Sequence, residues 1–450
     1  MVWIDLKRVP VALTIAGSDS GGGAGIQADL KTFAALGVHG TVAITSITAQ
    51  NTREVTAVQD VSVDVIRAQI EAVVSDIGVD AAKTGMLHTS EIIRAVAEEV
   101  RRHRFPLVVD PVMIAKSGAP LLKEEAVKSL IEELLPLAEV VTPNAREAEV
   151  LSGISVRSLD DARRAAKLIA EHGPRAVIVK GGHLEGGESI DVLYDGDFTE
   201  LRAERVGSRN THGTGCSFSA AIAAELAKGR SIREAFRTAK LLVTEAIRYG
   251  LPVGKGHGPL NPMALLYKES ERYSTILRVA EAVRILESID DATKITPEVG
   301  INVAMSLPYA SSPQDVAAIP GRMHLVGRKL RASAYPEFGA SSHLARYILT
   351  ARTYDPSVRA AVNVAYAEDL IVRLRELGLR VSWYDRREEP AEVKAKEGAT
   401  VPWGMKVAIE RIGGMPDAVF HRGDWGKEPM VVLLGRDAVE LANLVREVSK

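Results

Sequence analysis

The chain has 450 residues, 46% of them hydrophobic and 25% charged. That length exceeds the size at which one core keeps growing, so two domains are expected. A net charge of −2 argues against nucleic acid or an anionic membrane as a partner, and a single cysteine excludes an internal disulfide or a thiolate-built zinc site.

No run approaches the ~20 apolar residues needed to cross a bilayer. The opening stretch MVWIDLKRVPVALTIAGSD mixes charges with short apolar pieces, unlike a signal peptide. The expectation is a cytoplasmic protein. Abundant Glu, Lys and Arg against sparse Asn and Gln hint at a thermophilic source.

In chain order, residues 11–16 (VALTIA) read as a buried strand, followed at once by the glycine-rich turn Gly17–Gly25 and a helical stretch ending at Gly37. This is the layout of a ligand-cradling loop, but it matches neither GxxxxGK[ST] nor GxGxxG. A second strand, Thr41–Gln50, ends in an amide placed to offer a donor and an acceptor to a heterocycle edge; its simpler role is a strand cap. Helix Ser62–Ile77, strand and turn Ala81–Met86, helix Ser90–Arg102 and strand Pro106–Val109 continue the alternation, which predicts a parallel sheet with helices on both faces. Asp110, at a strand end, is a candidate metal or water ligand. After strand Val140–Thr142, Asn144 and Glu147 share a face at a helix start, where they suit Mg²⁺ held through waters or, more simply, a helix cap. Strand Ala176–Val179 ends in Lys180-Gly181-Gly182-His183, which brings a cation towards phosphates.

The stretch Asn210-Thr211-His212-Gly213-Thr214-Gly215-Cys216 precedes the helical run SFSAAIAAELAKG. Glycines on both sides of Thr214 leave backbone N–H groups free at the positive end of a helix dipole, an anion hole suited to a phosphoryl group in flight. At that position the dipole is expected to lower the pKa of Cys216, making it a candidate base or polarising contact; the alternative is a small buried hydrophobe.

The ordered blocks GSDSGGGAGIQADLKTF, TAQNT, KTGM, DPVM, TPN-x-x-E, VKGGH and NTHGTGC resemble the hydroxymethylpyrimidine/phosphomethylpyrimidine kinases, ribokinase-like enzymes of thiamine biosynthesis, over roughly residues 10–265. The resemblance implies a doubly wound α/β sheet and transfer of two phosphoryl groups from ATP. It places the pyrimidine among Gly17, Asp29, Gln50, Met86, Val112 and Cys216. It makes Asn144 and Glu147 the Mg²⁺-organising pair, to which the strand-end Asp110 is added as a candidate ligand, and sets Lys180 and Gly213–Gly215 (with Thr214 between) on the ATP phosphates. Related enzymes take pyridoxine or pyridoxal, which stays open as an alternative substrate.

Lys268–Ile289 reads as a charged amphipathic helix, and the domain boundary is placed at 267, giving domains 1–267 and 268–450. Beyond it the expected elements are a strand in Gly300–Ser306, a loop at Asp315–Ala317, helix His343–Ala351, and one long helix Ser357–Leu377 carrying Arg359 and Asn363 on one face. Strands Ala418–Phe420 and Met430–Leu434 follow, joined by a polar turn. The stretches EVGINVAMSLPYA, GRMHLVGRKLRASAYPEFGASSHLARYIL, VRAAVNVAY and PDAVFHRGDWGKEPMVVLLG resemble the ThiN-type thiamine phosphate synthases, a smaller α/β domain. That resemblance implies coupling of the pyrimidine diphosphate with thiazole phosphate and release of pyrophosphate. Arg322 is the candidate ionic clamp, His343 the proton donor or second anion contact, and Asn363 and Lys427 are weaker candidates. The alternative is a domain that only senses thiamine phosphate. A homodimer or higher homo-oligomer is expected, with no nucleic-acid or membrane partner.

Overall fold

The computed structural model describes residues 8–113, 122, 124–182 and 187–450, which form two compact units, one ending at Leu266 and one beginning at Tyr267. In the first unit the order is β1 (Val11–Asp19), α1 (Gly25–Ala35), β2 (His39–Gln50), β3 (Val55–Asp60), α2 (Val63–Asp76), β4 (Ala81–Thr84), α3 (Ser90–His103), β5 (Leu107–Val109) and α4 (Glu124–Ser129). It continues with β6 (Val140–Val141), α5 (Ala145–Ser152), α6 (Leu159–Ala170), β7 (Ala176–Val179), β8 (Glu188–Tyr194), β9 (Phe198–Glu204), α7 (Thr214–Ala227) and α8 (Ile232–Arg248), and the chain passes from one unit to the next within α9 (Ala264–Ser270).

Nine strands form one sheet in the order β3-β2-β1-β4-β5-β6-β7-β8-β9. β2 through β7 run parallel, while β3, β8 and β9 join antiparallel at the edges. Alternate residues of the central strands enter opposite cores: Leu13, Ile15, Val109 and Val141 pack with α2, α3, α5 and α6, whereas Ala12, Val108, Val140 and Ile178 pack with α7, α8 and Phe33 of α1. Burial on both faces is why these strands read as unbroken apolar runs. The chain order reverses between β1 and β4, which opens a crevice at the strands' carboxyl ends.

The second unit contains α10 (Arg272–Glu287), β10 (Val303–Ser306), β11 (Val316–Ala318), β12 (Met323–Val326), β13 (Lys329–Ala332), β14 (Glu337–Phe338), α11 (Ser342–Tyr354), β15 (Ala360–Ala365) and α12 (Glu368–Glu376). Then come β16 (Val381–Trp383), α13 (Ala391–Lys394), α14 (Thr400–Ile412), β17 (Ala418–His421), β18 (Met430–Gly435) and α15 (Ala438–Val448). Its seven-stranded sheet, β14-β11-β10-β15-β18-β17-β16, is antiparallel except for the β16–β17 pair. Helices α10, α12 and α15 cover one face and α11 and α14 the other.

Two expectations are corrected here. The single helix expected over Ser357–Leu377 is strand β15 followed by helix α12, so Arg359 and Asn363 do not share a helical face. In β15, Val362 and Val364 enter one core and Ala361 the other while both edges pair with β10 and β18; a strand buried on both faces lacks the polar alternation that would have marked it. Of the loop expected at Asp315–Ala317, Val316 and Ala317 belong to strand β11.

Candidate functional sites

A cleft of about 1160 Å³ opens in the first unit and is lined by Gly17, Gln50, Lys83, Met86, Asp110, Val112, Asn144, Glu147, Lys180, Gly213, Thr214, Gly215 and Cys216. Gly17, Gln50, Lys83, Asp110, Asn144 and Lys180 all sit at or just beyond the carboxyl ends of sheet strands, facing the amino end of α7. Of the residues anticipated in this half, only Asp29 does not line the cleft. It is fully buried beneath it, where its Oδ2 accepts from Thr14 Oγ1 at 2.7 Å and Lys83 Nζ at 2.9 Å. Asp29 Oδ2 therefore holds Lys83, while its Oδ1 has no hydrogen-bond partner. His183 lies outside the described residues.

The two glycine turns interlock. Gly213 has φ +85°, and a β-carbon there would sit 1.9 Å from the Gly23 carbonyl oxygen, so only glycine allows the approach. A β-carbon on Gly215 would meet Lys180 Nζ at 3.3 Å and Asp110 Oδ2 at 3.4 Å, which places the ammonium against the first turn of α7. Lys180 Nζ donates to Asp110 Oδ1 at 3.1 Å, and Ser219 Oγ donates to Asp110 Oδ2 at 3.3 Å. Burial opposes the charge on Lys180, but Asp110 and Glu147 outweigh it and raise its pKa. Val112 adopts φ +36°, a conformation a β-branched residue accepts only when its surroundings impose it.

Asn144 and Glu147 form a capping box: Asn144 Oδ1 accepts from Glu147 N at 3.0 Å and Glu147 Oε2 accepts from Asn144 N at 2.8 Å. Burial, with Asp110 nearby, raises the pKa of Glu147 despite Lys180.

Cys216 departs from expectation. Burial, helped by Asp29 and Asp110, pushes the thiol up to about 11, against the pull of Lys83 and the Gly25 amide. The dipole of α7 does not win, and the residue is a neutral thiol at physiological pH.

Three contributors went unnoticed in the sequence. Asp19 accepts from the amides of Gly21 (2.8 Å), Gly23 (3.0 Å) and Ala24 (2.8 Å), folding the first glycine turn around its carboxylate. His212 Nε2 lies 3.0 Å from Asp19 Oδ2 and 3.1 Å from the Gln50 side-chain nitrogen, tying both turns to the end of β2. Lys83, fully buried, is held charged: desolvation is outweighed chiefly by Asp29, with Asp110 adding. The aspartate inside GSDSGGGAG was the one available signal for the first of these.

In the second unit a smaller cleft, about 340 Å³, is lined by Arg322, His343, Asn302, Ile319, His324 and the Ser341–Ser342 start of α11. Arg322 is left-handed at φ +68° and donates to the Val299 carbonyl oxygen at 2.9 Å. Burial and the charges of Arg322, Arg346, Arg386 and Lys427 bring the His343 pKa down to about 4. Asn363 is not in the cleft. Its Oδ1 accepts from Asn302 N at 2.7 Å and its Nδ2 donates to Gly300 O at 3.0 Å, so it braces the backbone behind the lining residue Asn302. Lys427 is exposed on the turn between β17 and β18 and does not line the cleft.

Parallel strands ending at a cleft that joins a lysine, two carboxylates and a glycine-formed helix amino end define a phosphoryl-transfer enzyme of the ribokinase-like class. Residues 19–261 match the phosphomethylpyrimidine kinase family model, and the chain belongs to that family. Residues 278–447 match the model described as thiamine-phosphate synthase ThiN.

The hydroxymethylpyrimidine/phosphomethylpyrimidine kinase of Rhizobium meliloti is 53% identical over 264 residues, 58% of this chain and 99% of the relative. The thiamine biosynthesis bifunctional protein ThiED of Geobacter sulfurreducens is 51% identical over 251 residues, 55% of this chain and 51% of that protein. Among solved structures, an ADP complex of Bacillus subtilis pyridoxal kinase is 44% identical, with a TM-score of 0.55, covering 58% of this chain and 99% of that one. A Staphylococcus aureus pyridoxal kinase bound to AMP-PCP and pyridoxal is 40% identical, TM-score 0.53, covering 57% and 94%. The chain is therefore an ATP-using kinase joined to a ThiN synthase domain, and no described helix is long and apolar enough to cross a membrane.

Proposed function

We propose that the first unit phosphorylates 4-amino-5-hydroxymethyl-2-methylpyrimidine and then its monophosphate, and that the second couples the diphosphate with thiazole phosphate, releasing pyrophosphate and thiamine phosphate. The observation that carries the kinase reading is Lys180 set against the first turn of α7 beside Asp110 and Glu147. Lys180 and the amides of Gly213–Gly215 are suited to the charge on a transferring phosphoryl group. Gln50, Met86, Val112 and Gly17 are assigned to the heterocycle.

Two buried carboxylates, Asp110 and Glu147, supply hard oxygen donors that fit a Mg²⁺ bound largely through waters, with the Lys180 ammonium beside them. When bound, the ion neutralises phosphate oxygens of ATP. Cys216, a neutral thiol, is assigned to contact the pyrimidine and not to act as a standing base. The second transfer has an anionic acceptor and requires no base.

In the second unit Arg322 is assigned to the leaving pyrophosphate. His343, held neutral by burial and the cations around it, is assigned as an N–H donor to the same anion in preference to a charged acid. The lone thiol suits a cytoplasmic enzyme, and the expected homo-oligomeric assembly stands with this proposal.

The test is a one-pot reaction of the full chain with ATP, Mg²⁺, hydroxymethylpyrimidine and thiazole phosphate, followed for thiamine phosphate. Arg322→Ala and His343→Ala are expected to stop at the pyrimidine diphosphate. A wild type that also stops there leaves the second unit as a sensor. The likeness to pyridoxal kinases supports pyridoxal as a second acceptor, to be assayed in parallel.

A further inference from the structure

We propose that Glu71, Glu99 and His103 form a divalent-metal site of the zinc class that clips α2 to α3 in the first unit. None of the three lines the phosphoryl-transfer cleft, and the site stands apart from the reactions proposed above.

Glu99 and His103 are four positions apart in α3, so their side chains leave one face of that helix. Glu71 comes from the adjacent helix α2. Ile66 and Ile70 of α2 share a core with Val96 and Val100 of α3, which sets the spacing of the two helices. His103 closes α3 shortly before β5 begins, so the group lies towards the amino ends of the parallel strands, opposite the cleft. Among the described residues, these are the three possible ligands whose donor atoms all lie within 4.8 Å of one another.

His103 Nε2 is 3.3 Å from Glu71 Oε2 and 3.3 Å from Glu99 Oε2. Yet all three atoms are shut away from solvent and none of them makes a hydrogen bond. Two ligand atoms on a tetrahedral ion with bonds of about 2.0–2.1 Å stand about 3.3 Å apart, which is the separation found here twice. Glu99 is 5% exposed, and its other oxygen, Oε1, accepts from Arg67 Nη1 at 3.0 Å. A buried carboxylate with one oxygen held and the other bare is oriented like a metal ligand braced from behind.

Arg102 is the competing cation. Its Nη1 lies 3.0 Å from Glu71 Oε2 and 3.7 Å from Glu99 Oε2, without a hydrogen bond to either. That side chain is 63% exposed, so a bound ion can turn it out into water. One imidazole with two carboxylates is a donor set for Zn²⁺, whereas Mg²⁺ prefers oxygen ligands and keeps its waters. The ion's work would be structural, joining two helices otherwise held by apolar packing and arginine–glutamate pairs.

The experiment uses the full chain, stripped with a chelator, as wild type, Glu71→Gln, His103→Asn and Arg102→Ala. Calorimetric titration with Zn²⁺ in an excess of Mg²⁺ reads the site. Thermal unfolding reports folding, pyrimidine phosphorylation is the internal reference, and X-ray absorption of the zinc-loaded wild type reads the ligands.

Wild type is expected to take up one Zn²⁺ that excess Mg²⁺ does not displace, and the ion should raise the melting temperature of the first unit. Glu71→Gln and His103→Asn should each bind it at least tenfold more weakly and lose that rise, with phosphorylation rates unchanged. Arg102→Ala, rid of the competitor, should bind it at least as tightly as wild type. The absorption spectrum should show a single imidazole among oxygen neighbours.

Folded Glu71→Gln and His103→Asn variants within twofold of wild-type affinity overturn the proposal. So does a wild type that takes up no zinc, which leaves the group an ion-pair cluster only. Should the variants fail to fold, two or more imidazoles on the wild-type ion place it elsewhere and overturn the proposal instead.

Discussion

A thiol held near 11 is protonated at neutral pH, so Cys216 should alkylate ~100-fold or more slowly than a free cysteine, with a rate rising about tenfold per pH unit until the group titrates. Mass-spectrometric timing of iodoacetamide labelling checks this. Cys216→Ala should slow the first phosphoryl transfer by less than the ~10²-fold lower bound typical of a lost general base, and leave the second nearly untouched. Beneath it, Asp29 and Lys83 form an ion pair with both side chains at 0% exposure. Removing one charge strands the other, so Lys83→Met should cost about 3–5 kcal/mol in chemical denaturation, and Asp29→Asn combined with it should recover much of the loss. That pairing was invisible in the sequence because 54 positions separate the partners, whereas Lys180 announced itself as a lysine at a strand end before two glycines.

Among elements, the turn into α7 was the most legible, because its constraint is local: Gly213 needs a left-handed φ and room beside Gly23. Gly213→Ala should therefore lower kcat/KM for ATP by at least tenfold in steady-state kinetics, through displaced amides and not lost side-chain contacts. Strand β15 was the least legible. Its alanines and both-face burial imitate a helix, and only pairing with β10 and β18 decides the matter. Asn363, one of the weaker candidates on that supposed helix, instead braces Gly300 and Asn302 from the strand. Asn363→Ala should accordingly lose about 1–3 kcal/mol of stability by denaturant titration while the KM for the diphosphate shifts little. Of the second cleft, Arg322 and His343 were legible in the matching stretches, whereas Asn302 and Ile319 join them only in three dimensions.

For the whole molecule, the two units should respond differently to acid. His343 and His421 of the second unit are both held near pKa 4, mainly by burial, with Arg322 and other cations adding for His343 and Arg386 adding for His421. Unfolded, each titrates near 6.5, so between about pH 6.5 and 4 the unfolded chain binds more protons and stability of the second unit falls as pH falls. Calorimetric melting from pH 7 to 4 should show that unit's transition moving down through this window; a transition that stays put would mean the histidines are solvated. Bound pyrophosphate should narrow the loss, since an anion beside His343 favours its charged form.

The tryptophans make these units optically separable. Of the four in the chain, Trp383, Trp403 and Trp425 all lie in the second unit, and Trp3 sits in the N-terminal stretch outside the described residues. Trp425 is 99% exposed, on the same turn as Lys427, whereas Trp403 is half-buried against Tyr384. Selective excitation of indole therefore watches the synthase half through three emitters, and a Trp3→Phe background leaves the kinase half dark. A water-facing, long-wavelength component from Trp425 should be quenched freely by iodide, and with Trp3, Trp383 and Trp425 all changed to Phe the shorter-wavelength emission of Trp403 should report unfolding alone.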